Sequence, residues 1–295
     1  MIDKPLQFVS GLPRSGSTLL MNLLGQNPAH HVTPTSGLIH LMRGLIGTWP
    51  DHKEFQSQGL EHVKPNVLSA LRGLLYGFYE ESFADGKIVF DKSRGWLHYV
   101  EPLEEILGRP VKIVTLVRDV RAIVASFEAI FRRRGIEYRP PNRDAAVEEM
   151  TIEIRARHAL QADQVTGRAI LRLRDAIQRC PDRLLIVPYD YFASQPAETT
   201  QRIHAFLGLP PFHYDVDNVR QITHEDDCVN GMDLHRIRSR IEPSPSRSWS
   251  ELLPDALSEE ITEGYADINL LAAGPMSSPA QRDNPDQLIS QSTPN

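Results

Sequence analysis

The stretch Gly11-Leu12-Pro13-Arg14-Ser15-Gly16-Ser17-Thr18 decides the fold, because it lies between a predicted strand and a predicted helix. Residues 6–10 form a short apolar run before it, and residues 18–26 follow helix spacing after it. The stretch nearly fits the phosphate-binding pattern G-x-x-x-x-G-K-[ST], in which glycines let several backbone N–H groups point inward. No carboxylate occurs between Asp3 and Asp51, and a helix N-terminus adds positive potential. The stretch therefore predicts a site for a phosphate or sulfate group.

One position departs from that pattern. Ser17 stands where nucleotide triphosphatases need a lysine on the β- and γ-phosphates, so Arg14 is the cation of this loop. The sequence thus favours an anion other than a metal-bound triphosphate. The alternative is a turn rich in glycine and serine that caps the helix through Ser15 or Ser17.

A second anion site is predicted after another strand. Residues 111–117 are nearly all apolar, as in a strand covered on both faces, and they end in Arg118. Ligands of open α/β sheets bind at the carboxyl ends of strands, where an arginine can form two hydrogen bonds with a phosphate. Ser126 follows two helical turns later and could face the same point. In the alternative reading, Arg118 pairs with Asp119. Two anion sites indicate a ligand with phosphates at both ends.

The remaining pattern predicts alternating strands and helices, and therefore an α/β fold with a central parallel sheet flanked by helices. We expect a single domain over residues 1–273 and a flexible C-terminal tail over 274–295, which is rich in proline, serine and asparagine. The other predicted strands are 87–90 and 184–187, and the other predicted helices are 38–48, 64–84, 120–134, 144–179 (one helix or two) and 197–207.

Composition excludes several classes of protein. The net charge of −6 argues against a general nucleic-acid binder. No apolar run approaches the roughly 20 residues of a membrane span. The N-terminus lacks the pattern of a secretory signal, so a cytoplasmic location is expected. Cys180 and Cys228 suit neither a disulfide framework nor a zinc site and are interpreted as reduced thiols.

Taken together, these motifs resemble those of the sulfotransferases that use 3'-phosphoadenosine 5'-phosphosulfate (PAPS), especially tyrosylprotein sulfotransferases and their bacterial relatives. Residues 8–20 look like that family's 5'-phosphosulfate loop, and residues 114–126 look like its 3'-phosphate element. Residues 187–192 resemble the segment whose tyrosine lies near the adenosine, and residues 90–96 resemble the segment with the catalytic lysine. The resemblance implies a P-loop-like sulfotransferase fold.

It also implies roles for particular residues. The 5'-phosphosulfate of PAPS would be held by the loop, and its 3'-phosphate by Arg118 and Ser126, with Tyr189 near the adenosine. Arg14 and Lys92 are the cations expected at the oxygen that bridges sulfur and phosphorus, and the reaction needs no metal. The alternative for Lys92 is a surface lysine paired with Asp91 or Asp85. The loop residues implied in binding are Arg14, Ser15, Gly16, Ser17 and Thr18.

The general base and the acceptor remain open. Tyrosylprotein sulfotransferases supply a glutamate shortly after the loop helix, whereas residues 30–37 here contain no carboxylate. The acceptor is therefore either a peptide tyrosine or a small-molecule alcohol, amine or sugar hydroxyl. The candidate bases are His30, His31, His40, His98, Asp91 and Glu101.

Two other classes compete with this reading. One is a kinase with a degenerate P-loop, and the other is a nucleotide-binding module without catalysis. The cluster Arg132–Arg134 either attracts an acidic acceptor or complements a helix end. The sequence leaves the oligomeric state open.

Overall fold

The fold is built on a parallel sheet, as expected. In the computed structural model, the described residues are 4–134, 151–230, 235–243 and 249–281. The sheet of this described part has five strands in the order β2-β3-β1-β4-β5, and every neighbouring pair is parallel. The strands are β1 (Leu6–Gly11), β2 (His30–Thr35), β3 (Ile88–Lys92), β4 (Ile113–Val117) and β5 (Leu184–Pro188).

Helices cover both faces of the sheet. Because side chains alternate along a strand, Phe8 packs into one core and Val9 into the other. The helices are α1 (Ser17–Leu24), α2 (Leu38–Thr48), α3 (Lys53–Gln58), α4 (Leu60–Gly77), α5 (Glu80–Ala84), α6 (Val100–Leu107), α7 (Val120–Arg134), α8 (Ile152–Ala159), α9 (Val165–Arg179), α10 (Tyr189–Ser194), α11 (Pro196–Leu207), α12 (Asp227–Asn230), α13 (Asp255–Gly264) and α14 (Ala266–Ala273). The predicted α/β architecture is therefore confirmed.

Strand β1 lies at the centre of the sheet and fixes the loop that follows it. Its register pairs Val9 with Lys92 on one side and Gly11 with Leu116 on the other. All strands run the same way, so their carboxyl ends share one edge of the sheet. The residues after β1, β3, β4 and β5 are thereby brought together.

Some predicted elements have different bounds. The helix predicted over 64–84 is interrupted between α4 and α5, because the Tyr79 hydroxyl turns inward and donates a 2.5 Å hydrogen bond to Asp91. The segment 144–179 contains two helices, α8 and α9, and its first part lies outside the described residues. Strand β3 extends past the predicted end because Asp91 and Lys92 are buried with polar partners.

Strand β2 was not predicted. It is an edge strand, its sequence contains two histidines and Pro34, and its pairing with β3 shifts register between Val32 and Thr35. A proline cannot donate to a ladder, so Pro34 is tolerated here because β2 is an edge strand, and the polar sequence of β2 has no alternating pattern of apolar residues.

The predicted tail begins with residues that pack on the sheet. Ile186 of β5 forms an antiparallel bridge with Ser277, with N–H to O=C distances of 2.9 and 3.2 Å, and Met276 is buried. Residues 282–295 lie outside the described part. The division of the chain at residue 273 stays a prediction.

Gly11 offers a test of the close contact between β1 and β4. Its φ is +146°, and a Cβ there would lie 2.4 Å from the Leu116 carbonyl oxygen. We expect Gly11→Ala to lower the free energy of unfolding by about 3 kcal/mol, measured by urea denaturation. Gly37→Ala is the matched control, since a Cβ at Gly37 has no atom within 4 Å. Equal stability of both variants would contradict the strained contact.

Candidate functional site

The loop between β1 and α1 has the backbone that anion binding requires. Arg14 and Gly16 have positive φ values of 58° and 87°, and the Ser15 hydroxyl donates a 2.6 Å hydrogen bond to the Leu12 carbonyl. These turns lead into α1, whose first N–H groups have no intrahelical acceptor. The loop can therefore direct several backbone N–H groups, up to those of Ser17 and Thr18, toward one anion.

The two predicted anion-binding groups contact each other. Arg14 donates from Nε to the Ser126 hydroxyl at 3.0 Å, and Arg118 donates from Nη1 to the Arg14 carbonyl at 2.9 Å. Arg118 has its guanidinium 4.3 Å from the ring centroid of Tyr189, the residue after β5. The residues predicted after β1, β4 and β5 thus form one continuous surface, which we call the arginine pair surface: Arg14, Arg118, Ser126 and Tyr189.

Two arginine charges lie close together on this surface. Burial lowers the pKa of Arg14, and the charge of Arg118 lowers it further. Burial also lowers the pKa of Arg118, and its Nε is buried without a hydrogen-bond partner among the described residues. Asp119 forms its ion pair with Arg121 at 2.6 Å, and the charges of Asp190 and Asp119 offset only part of the effect of burial on Arg118. An anion placed here would relieve both the repulsion and the missing hydrogen bond.

Gly16 keeps this surface compact. A Cβ at Gly16 would lie 2.8 Å from Cδ2 of Tyr189, so the loop backbone rests against the tyrosine ring. Tyr189 is therefore placed between the phosphate loop and Arg118.

Lys92 forms a second charged group at the end of β3. Its Nζ donates to the Thr18 hydroxyl at 3.2 Å and contacts Glu225 Oε1 at 3.2 Å. Only 6% of its side chain is exposed, and burial lowers its pKa while Glu225 offsets part of that effect. The alternative partners are excluded: Asp85 pairs with Lys87, and Asp91 accepts from Tyr79 and Trp96. The other predicted catalytic cation, Arg14, forms a hydrogen bond with Ser126 instead, so Lys92 and Arg14 have different partners.

Glu225 was missed by the sequence analysis, together with two residues that hold it. Its Oε2 lies 3.0 Å from His235 Nε2, and His235 Nδ1 lies 2.6 Å from Asp227 Oδ1. The backbone N–H of Thr35 also donates to Oε1 at 2.8 Å. The only sequence signal was the run of polar and acidic residues 223–227, which has no fixed spacing to a motif.

Helix α1 places Glu225 beside Lys92. The amide oxygen of Asn22 accepts from the N–H of Thr223 at 3.0 Å, and its Nδ2 donates to the Thr223 hydroxyl at 2.8 Å. Asn22 is buried on α1, the helix that starts with the phosphate loop. The same helix therefore carries Thr18 and holds Thr223. Because Glu225 is only two residues from Thr223, this contact also positions the Glu225 carboxylate.

The earlier candidates for the base have other positions. Asp91 is buried and holds Tyr79 and Trp96, and Glu101 pairs with Arg179. Burial lowers the pKa of His30 to about 4, and its Nδ1 lies 3.0 Å from the Leu24 carbonyl oxygen. His31 packs against the ring of Tyr79, and His40 and His98 are exposed. Glu225 is the carboxylate that contacts Lys92.

The pairing of Glu225 predicts an acid-sensitive stability. Burial alone would raise its pKa, but the hydrogen bond from His235 and the charge of Lys92 lower it to about 2, from 4.5. The folded state thus binds fewer protons, so this stabilisation is present above pH 4.5 and disappears between pH 4.5 and 2. We expect Glu225→Gln to flatten the fall of Tm in that range, as measured by circular dichroism. Exposed Glu251 supplies the control, Glu251→Gln, which should keep the wild-type slope. A wild-type slope in Glu225→Gln would refute the pairing.

Two features are absent from the described part of the chain. Within the described ranges, no group of three or more His, Cys, Asp or Glu side chains could hold a metal ion. No helix in the described part of the chain is long and apolar enough to cross a membrane.

Comparison with known proteins gives matches in sequence and in structure. Residues 5–214 match the Sulfotransferase family. The nodulation protein NoeE of Sinorhizobium fredii (strain NBRC 101917 / NGR234) is 27% identical over 216 residues, which cover 69% of this chain and 50% of NoeE. The chain thus spans half the length of that curated relative.

Two solved structures are similar to this chain at low sequence identity. The sulfotransferase domain of the Synechococcus PCC 7002 olefin synthase is 20% identical, with a TM-score of 0.49 over 90% of this chain and 95% of that chain. Mouse sulfotransferase SULT7A1 complexed with PAP is 10% identical, with a TM-score of 0.50 over 90% of this chain and 84% of that chain. The second likeness supports the fold. With the match over residues 5–214, the chain belongs to the sulfotransferase family.

Proposed function

We propose that the protein transfers a sulfonate group from PAPS to a hydroxyl group of an acceptor. The observation that carries this proposal is the continuity of the positive surface, from Lys92 and Thr18 through the phosphate loop to Arg118 and Ser126. PAPS has anionic groups at both ends. Mouse SULT7A1, which shares the fold, is described as complexed with PAP, the product that PAPS leaves after transfer.

The phosphate loop and the arginine pair surface would bind opposite ends of the nucleotide. The N–H groups of residues 14–18, with the hydroxyls of Ser17 and Thr18, would hold the 5'-phosphosulfate. Arg118 and Ser126 would hold the 3'-phosphate, and the Tyr189 ring would lie near the adenosine. Ser17 replaces the lysine that a triphosphatase needs, so the donor is a phosphosulfate rather than a triphosphate.

The transfer is a single displacement at sulfur. The acceptor oxygen forms a bond to sulfur while the bond from sulfur to the bridging oxygen breaks, and that electron pair stays on the departing phosphate. Lys92 stabilises the charge that develops on the bridging oxygen, because its ammonium is nearly buried beside Thr18. Arg14 is the second cation proposed there.

Glu225 takes the proton of the acceptor hydroxyl in this scheme. Its carboxylate is ionised at neutral pH and contacts Lys92, and therefore lies where the acceptor meets the donor. When Lys92 turns to the bridging oxygen, Glu225 loses a positive neighbour, and its pKa rises toward the range of an effective base. His235 and Asp227 hold the carboxylate in place.

The proposal is tested by titration followed by an assay of transfer. Adenosine 3',5'-bisphosphate should bind at least about tenfold tighter than 5'-AMP, because the second phosphate gains charge-assisted hydrogen bonds. Radiolabelled PAPS is then offered with an acceptor panel of tyrosine peptides, phenols, alcohols and amines. Binding without transfer to any acceptor would indicate a nucleotide-binding module. ATP hydrolysis that requires magnesium would indicate a kinase-like enzyme.

A further inference from the structure

The proposed base lies on a segment that has no regular structure of its own. Residues 208–226 contain no helix or strand, and Glu225 is near the end of this segment. The match to the Sulfotransferase family covers residues 5–214 and does not include Glu225. A backbone without helical or ladder hydrogen bonds is placed by the side chains that bind its polar groups. The position of Glu225 therefore depends on such contacts.

Helix α1 and the turn after it bind the backbone of this segment at two places. Asn22 binds the backbone of Ile222 and Thr223. Gln26, four residues further along, exchanges hydrogen bonds with the backbone of Asp215 at 2.8 and 2.7 Å. The contact with α1 is also close in packing, since a Cβ at Gly25 would lie 2.3 Å from Ile222 Cδ1.

Asn22 uses all four hydrogen-bonding positions of its amide. Its Nδ2 donates at 2.8 Å to the Thr18 carbonyl and at 2.8 Å to the Thr223 hydroxyl. Its Oδ1 accepts from the N–H groups of Ile222 at 2.5 Å and Thr223 at 3.0 Å. The residue is 1% exposed. A buried amide with both donors and both acceptor positions in use has one orientation, and removing it leaves backbone groups without partners.

Thr18 takes part in these contacts with two of its atoms. Its carbonyl accepts from Asn22, and its hydroxyl accepts from Lys92 at 3.2 Å. Lys92 also contacts Glu225 at 3.2 Å, and Glu225 follows Thr223 by two residues. The hydrogen bonds therefore form a closed path, from the phosphate loop through Asn22 to the carboxylate and back through Lys92.

Other residues hold the carboxylate group but not the backbone that carries it. Thr35 and His235 bind the oxygens of Glu225 at 2.8 to 3.0 Å. Two residues of extended chain span at most about 7 Å, so a displacement of Thr223 is transmitted to Glu225. Asn22 fixes Thr223 and thus limits where Thr35 and His235 can find the carboxylate.

We propose that Asn22 and Thr223 are positioning residues for the proton-transfer step, although neither is assigned a contact with PAPS or the acceptor. Through this pair, the helix that carries the phosphate loop also sets the distance between the base and Lys92. The inference rests on the proposed function for the role of Glu225 as the base, whereas the placement of Glu225 rests on the contacts alone.

The first test needs no transfer reaction. Valine has the shape of threonine without the hydroxyl, so Thr223→Val removes one hydrogen bond of Asn22. This variant should flatten the fall of Tm between pH 4.5 and 2 toward that of Glu225→Gln, because the carboxylate is held less well by its partners. Asn22→Leu removes all four hydrogen bonds and should flatten it further. Thr223→Ser keeps the hydroxyl and should keep the wild-type slope.

The second test follows turnover of PAPS with the best acceptor of the panel. Thr223→Val should lower kcat by about tenfold and change KM for PAPS by less than about threefold, since a displaced base slows the chemical step. Thr223→Ser should stay within about twofold of wild type. Added to Glu225→Gln, Thr223→Val should lower kcat by less than about a further twofold, because residues that act through one group are not additive.

Thr200→Val is the matched control. Thr200 is 2% exposed on α11, and its hydroxyl donates to the Ala197 carbonyl at 2.9 Å. The variant thus loses a buried hydroxyl and one hydrogen bond, as Thr223→Val does. It should keep the wild-type slope of Tm and the wild-type kcat.

The failure of this inference is distinct from failure of the proposed function. A wild-type slope of Tm in Thr223→Val, or losses of kcat that add in the double variant with Glu225→Gln, would overturn the positioning role. A slope that flattens in Thr223→Val but not in Thr223→Ser, without transfer to any acceptor, would retain the placement of Glu225 and overturn sulfonate transfer. Thr223→Val decides alone if Asn22→Leu does not fold.

Discussion

Lys92→Ala should lower kcat for sulfonate transfer by about 100-fold, with the affinity for adenosine 3',5'-bisphosphate changed by less than about threefold. A preorganised donor at a developing charge is worth about 3 kcal/mol in the transition state and little in the ground state. Lys92 is suited to this role because its ammonium is nearly buried and contacts Thr18 at the start of α1. Single-turnover rates and titration calorimetry separate the two quantities.

The control for Lys92 has to account for Glu225. Removing the lysine leaves a carboxylate with one fewer positive neighbour, so Lys92→Ala is compared with Lys92→Ala combined with Glu225→Gln by thermal unfolding. Lys87→Ala, at a partly exposed lysine just before β3, should change neither rate nor affinity. An effect of Lys92→Ala on affinity alone, with kcat unchanged, would show that the catalytic assignment is wrong.

Arg118→Ala should weaken binding of adenosine 3',5'-bisphosphate by about 100-fold, because a phosphate loses a bidentate, charge-assisted partner. Arg118 also holds the Arg14 carbonyl at 2.9 Å and stacks on Tyr189, so its loss loosens the phosphate loop as well. Arg118→Lys keeps the charge without the planar fork and should lose about tenfold. Affinities come from titration calorimetry at one fixed ionic strength.

Arg157→Ala is the matched control for this prediction. Arg157 is an exposed arginine of α8 that pairs with Glu260 at 2.7 Å. It should leave nucleotide affinity within about twofold. If Arg118→Ala bound the bisphosphate as tightly as wild type, the 3'-phosphate would have to lie elsewhere.

The sequence predicted the sheet well because buried strands carry their own signal. The runs 6–10, 111–117 and 184–187 are mostly apolar, and each contains a strand of the sheet. Strand β2 had no such signal, since an edge strand with Pro34 and two histidines does not alternate. The break between α4 and α5 depends on Tyr79 reaching Asp91, a tertiary contact that helix periodicity does not report.

The site was predictable where motifs are local and was missed where it depends on long-range contacts. The phosphate loop lies within eight residues, and Arg118 directly follows a recognisable strand. Glu225 is 133 positions from Lys92 and lies in a segment without regular structure before α12. Asn22 of α1 holds that segment through hydrogen bonds with Ile222 and Thr223. Residues placed in this way carry no spacing rule that a single sequence could show.

Each border of the sheet has a feature that hinders pairing with a second molecule. At β5, Ile186 already uses its N–H and carbonyl groups on Ser277, and Ser278 donates to the Pro181 carbonyl at 3.0 Å. At β2, Pro34 and the shifted register interrupt the row of donors. Unpaired strand borders are templates for aggregation, and these two features hinder that route. Ser277 and Ser278 therefore contribute to colloidal stability, although they lie far in sequence from the phosphate loop.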